Sequence, residues 1–84
     1  MGLYIDSNGK EKYVEPSNGK RFSLEEMQKY VGGFVAIVRL PKGKKMVVDE
    51  DGLMKQSLIN GKASKLTGQV IVGNVLICEK TEMG

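Results

Sequence analysis

The chain offers few side chains that could do chemistry at neutral pH. It has no histidine, which removes the usual general base and the commonest transition-metal ligand. Cys78 is the only cysteine, so neither a disulfide framework nor a cysteine-rich zinc site can be built. Without an imidazole to activate it, and inside the apolar stretch "VLIC", Cys78 reads as a small core residue rather than a nucleophile. The run Asp49-Glu50-Asp51-Gly52 resembles the start of a calcium loop. Leu53, Met54 and Lys55 then stand where further oxygen ligands would be needed, so it reads as an exposed, charged hairpin turn and not as a metal site. No metal and no cofactor is expected.

Three motifs could hold an anion. Lys42, Lys44 and Lys45 flank a glycine and could meet phosphates, with Tyr and Phe side chains elsewhere for stacking. Thirteen basic residues are nevertheless interleaved with ten acidic ones, for a net charge of +3, which is not a dedicated nucleic-acid face. "SNGK" occurs at Ser7–Lys10 and again at Ser17–Lys20, and "NGK" at Asn60–Lys62; all three read as turns. Gly32-Gly33 lies after a helix and before a strand. The phosphate-binding fingerprint has the opposite order, with its amides at a helix N-terminus, so here one glycine reads as a left-handed helix stop.

The elements that would position these residues are legible in part. "LYIDSNGKEKYVEP" reads as a hairpin with a type I′ turn at Asn8-Gly9, ended by Pro16. "FSLEEMQKYVGG" carries a capping box, Ser23 with Glu26, and a hydrophobic staple, Phe22 with Met27. It predicts a helix over Leu24–Val31, with Leu24, Met27 and Val31 as its apolar stripe. So short a helix needs a sheet to lie on. The unbroken apolar run Phe34–Val38 predicts a strand covered on both faces. "KMVVDEDGLMKQ" reads as two short strands around Asp49–Gly52. "SLINGKASKLTG" reads as a loop that either makes one helical turn near Asn60 or wanders over a sheet edge. "QVIVGNVLICEK" reads as a last strand bent or bulged at Gly73. The sum is an α+β domain: one short amphipathic helix packed on a mostly antiparallel sheet of about five strands. Residues 1–84 form a single domain, with 1–16 a hairpin, 22–78 a core and 79–84 a tail.

Taken together, "FSLEEMQKYVGGFVAIVRLP", "MVVDEDGLMK", "LINGKAS" and "VIVGNVLIC" resemble domain of unknown function 3846, a family of small proteins from bacteriophages and mobile elements of gut bacteria. The resemblance runs from Phe22 to Cys78. It matches Val31-Gly32-Gly33 and Phe34, the acidic turn ending at Gly52, and Asn60, Ala63 and Ser64. It departs from the family pattern at Ala36 and Asn74, where relatives carry carboxylates.

The resemblance implies a non-enzymatic accessory protein that modulates host defence from the host cytoplasm. A lone cysteine and the absence of an apolar leader suit that compartment and predict no membrane span. The partner is then a host or phage protein. One alternative is a small nucleotide, bound near Gly32, Gly33, Asn60, Lys62, Ala63 and Ser64 with Arg39 or Lys62 supplying charge. Another is nucleic acid bound at Lys42, Lys44 and Lys45. An exposed sheet edge would also allow a homodimer by strand pairing.

Overall fold

In a computed structural model of the protein, which describes residues 1–82, the strongest local signal forms as expected. Helix α1 spans Leu24–Val31. Ser23 Oγ accepts from the Glu26 amide at 3.1 Å, and Glu26 reaches back to the Ser23 amide at 3.3 Å. The Glu26 carboxyl lies below its ordinary range, chiefly because it also accepts from the Ser17 amide at 3.0 Å. Gly32, with φ of 86°, ends the helix in the left-handed region, where a side chain would be strained. One detail differs: Leu24 is exposed, and Met27 and Val31 are the buried residues of the helix.

Five strands form one antiparallel sheet: β1 (Gly2–Ile5), β2 (Glu11–Val14), β3 (Val35–Arg39), β4 (Lys44–Asp49) and β5 (Val75–Glu79), in the order β2-β1-β5-β4-β3. The last strand is therefore central. Side chains alternate across it: Leu76 and Cys78 face one way, Val75 and Ile77 the other. The first face packs with Phe22, Met27, Val31, Val47 and Val14 under α1. The second packs with Ile5, Met46, Ala63 and Ile71 under a second helix, α2 (Gly61–Thr67). The fold is thus α+β, with a helix on each face of the sheet rather than on one.

Several expectations change. The run Phe34–Val38 is not covered on both faces; it supplies an edge strand in which Ile37 is exposed, as is Phe34 just before it. The doubly covered strand is β5. After β4 the chain makes turns instead of a second strand, and the last strand begins at Val75, not near Gln69. Residues before it form a loop that touches Ile59 through one bridge at Val72 and bends at Gly73, whose φ is 78°. Of the two readings of residues 57–68, the helical one holds: Asn60-Gly61-Lys62 is not a plain turn but caps and begins α2, which runs on to Thr67. The first hairpin is not type I′, since Asn8 lacks positive φ. Instead Asp6 accepts from the Asn8 and Lys10 amides, and Gly9 alone turns left-handed. The predicted tail is partly ordered. Glu82 is buried, and its carbonyl accepts from the Phe22 amide at 2.6 Å. The rest of that tail, 83–84, lies outside the described residues.

Phe22 ties helix to sheet. It is fully buried, and a Cβ at Gly2 would lie 2.8 Å from its ring. Phe22→Ala should cost about 3–5 kcal/mol, a large share of the roughly 4–13 kcal/mol expected for a chain of this length. Ser23→Ala should cost about 1 kcal/mol through the lost cap. Urea unfolding of both variants checks the ranking, which fails if the cap variant is the weaker of the two.

Candidate functional site

The groups that could react are held in check. Cys78 is buried in the core under α1, and burial pushes its thiol up to about 11, with the Glu82 and Glu79 carboxylates acting in the same direction. A protonated, enclosed thiol is a poor nucleophile. Asp49 was expected in an exposed turn, yet its side chain is only 4% exposed. One carboxylate oxygen accepts from the Asp51 amide at 2.9 Å, and the other from Lys55 Nζ at 3.0 Å. Lys55 also donates to the Gly32 carbonyl at 3.1 Å, satisfying the end of α1. Gly33 lies against this pair, where an added Cβ would be 2.4 Å from Lys55 Nζ. The glycine pair thus performs two structural tasks: Gly32 stops the helix, and Gly33 makes room for the pair between buried Asp49 and exposed Lys55.

Residues expected to share a small-ligand site do not converge. Asn60 is fully buried. Its Oδ1 accepts from the Ala63 amide at 3.1 Å, capping α2, while Nδ2 donates to the carbonyls of Ile5 at 3.1 Å and Gly73 at 2.9 Å. Its hydrogen-bonding capacity is used inside the protein. Ala63 is buried; the Ser64 hydroxyl both donates to the Ile71 carbonyl and accepts from the Ile71 amide. Lys62 pairs with Glu11 across the β2 edge. These residues belong to the α2 face. Gly32 and Gly33 belong to the α1 end of the other face, and Arg39 ends β3. Beside Gly33 an open concavity of about 580 Å³ is lined by Glu25, Gln28, Lys29, Phe34, Asp51 and Lys55. Its two lysines are balanced by two carboxylates, and one of those lysines is already paired.

The basic turn is real but divided. Lys44 and Lys45 point to opposite faces of β4, as successive strand residues must. Lys45 stands directly opposite Arg39, a like-charge pair that favours neither strand. Lys42 takes a left-handed conformation with φ of 64°. Of the aromatic residues, Phe22 is buried and Tyr4 and Tyr30 pack on one another with centroids 5.4 Å apart, while exposed Tyr13 on β2 shares with Leu40 and Lys44 the lining of a concavity of about 270 Å³.

What remains open is the edge of β3. The Phe34 carbonyl accepts from the Glu50 amide and the Leu40 amide donates to the Lys44 carbonyl, so even-numbered residues bond inward to β4. By alternation, the amides and carbonyls of Val35, Ile37 and Arg39 point outward. Among the described residues, no backbone group pairs with them. Phe34 is 66% and Ile37 41% exposed. The opposite edge, β2, carries Glu11 and Lys12, charges of the kind that guard an edge. Sequence reasoning missed this contrast because an apolar run reads alike in a central strand and an unprotected edge.

Every segment that carried the family resemblance now has a place in this architecture, from the Val31–Gly33 helix end through the Asp49 turn and the Asn60 cap to the Gly73 bend. The chain belongs to DUF3846. The family model, described as a domain of unknown function, matches residues 1–84 and so extends beyond Phe22–Cys78 to include the first hairpin. No curated protein and no solved structure matches the chain. Ala36 and Asn74, singled out in the sequence as departures from the resemblance, are separated by β4. Ala36 sits on the β3 edge opposite Val48, and Asn74, just before β5, accepts from the Ser7 amide at 3.0 Å.

Asn60→Ala should be strongly destabilising, by about 2–4 kcal/mol, because it removes a helix cap and leaves two carbonyls and an amide without partners. Asn60→Asp keeps the cap acceptor but turns a carboxylate towards two carbonyls. Its folded pKa must rise above the unfolded value, so its stability deficit should grow as pH rises from about 4 and shrink in acid. Thermal melts between acid and neutral pH check the sign; a deficit that grows towards acid pH contradicts it. Cys78 should resist iodoacetamide at pH 8 in the native protein and react once urea exposes it. Rapid native alkylation, read by mass spectrometry, would show that the thiol is not enclosed.

Proposed function

We propose that the protein is a non-enzymatic accessory protein of a bacteriophage or mobile element, acting in the bacterial cytoplasm by binding a host or element-encoded protein through the edge of β3. The setting is what the family resemblance implies. The observation that carries the binding mode is the asymmetry of the sheet's two edges. A strand with outward-pointing amides and carbonyls, flanked by exposed Phe34 and Ile37, suits the addition of a partner strand. The absence of histidine, a buried protonated thiol and a carboxylate neutralised by Lys55 favour binding over catalysis.

A photo-crosslinking residue placed at position 34 or 37, in protein produced in bacteria, should give discrete protein adducts. The same residue at position 12, on the guarded β2 edge, should give none. Adducts absent from β3, or equally abundant at all three positions, would overturn the assignment of this edge.

A further inference from the structure

We propose that the occupant of the β3 edge is a second copy of this chain, paired antiparallel about a two-fold axis at Ile37. The proposal rests on reading that edge as the contact surface, and it follows from register. Val35, Ile37 and Arg39 are the residues whose backbone groups face outward. An antiparallel copy centred on Ile37 sets Ile37 against Ile37 and Val35 against Arg39 at both ends, so every outward residue of the strand meets another. Centring on Ala36 or Val38 leaves one of them without a counterpart.

The side chains favour the same register. Ala36 comes opposite Val38 of the copy, a small residue against a larger one. The exposed Ile37 side chain is covered by its own equivalent, which is what burial rewards.

Charge selects the antiparallel sense. Arg39, Lys42, Lys44 and Lys45 crowd the C-terminal end of β3. Glu25, Glu50 and Asp51 stand at its N-terminal end beside Phe34 and outnumber Lys29, while Lys55 there is paired with Asp49. Antiparallel pairing brings the basic end of each copy to the acidic end of the other, whereas parallel pairing would set like ends together. The β2 edge offers no such match and remains the outer margin of a continuous sheet spanning both copies.

The contact is small, so the dimer should form and dissociate with concentration. Light scattering after size exclusion should show a mass that rises towards twice the monomer as concentration increases. Ile37→Lys should remain monomeric. Ile37→Pro should do the same, because the amide it removes points away from β4 and native pairing survives; circular dichroism of both variants verifies that they fold. Ile37→Cys should oxidise to a covalent dimer, since residues on the axis of a hydrogen-bonded antiparallel pair lie about 5.5 Å apart between Cα atoms, within disulfide reach. Lys12→Cys should not. A wild-type chain that stays monomeric at high concentration, or an Ile37→Lys variant that still dimerises, overturns the proposal. A monomer whose crosslinks at positions 34 and 37 go to a different protein overturns the second copy while keeping β3 as the binding edge. A monomer without such crosslinks removes both.

Discussion

The whole architecture turns on one strand that is apolar on both sides. Val75 to Cys78 are all buried, so β5 must lie inside the sheet and each of its faces must be roofed. A chain of this length cannot make two large layers. It meets the demand with two short helices, α1 over Leu76 and Cys78 and α2 over Val75 and Ile77. Neither helix would persist alone, so each is held by side-chain chemistry at its N-terminus, by Ser23 and Glu26 in one case and by Asn60 in the other.

Those two caps explain what could be read beforehand and what could not. Helix α1 was legible because its determinants are local: cap, staple, stripe and stop all fall between Phe22 and Gly32. Helix α2 was not, because "GKASKLT" buries only Ala63 and has no stripe. Its cap depends on Asn60 reaching Ile5, 55 residues away, and Gly73, 13 away. The same three letters, Asn-Gly-Lys, make a turn at the first hairpin and open a helix at residue 60. Only the tertiary partners of the asparagine decide between them. The Asp49 turn follows the same logic. Its composition suggested exposure, and Lys55, donating both to Asp49 and to Gly32, is what draws it inward.

Residues singled out for ligand chemistry proved to be those that join elements. Gly33 and Asn60 connect segments distant in sequence, and Ser64 ties α2 to the loop that follows it at Ile71. Special backbone geometry and buried polar groups arise at structural junctions as readily as at ligand sites. In so small a chain, most such positions are needed to close the fold. The unguarded margin of the sheet at β3 belongs to the surface not used for closure.

The placement of β5 also bears on how the chain is made. Strands β1 and β4 are emitted from the ribosome well before the segment that must lie between them, and until Val75–Glu79 emerges they have no common neighbour. The first hairpin and the β3–β4 pair are too small to be stable on their own. The chain as far as Glu79 must therefore leave the exit tunnel before the sheet can close. Its apolar segments stay available to chaperones until β5 has emerged and the sheet can close.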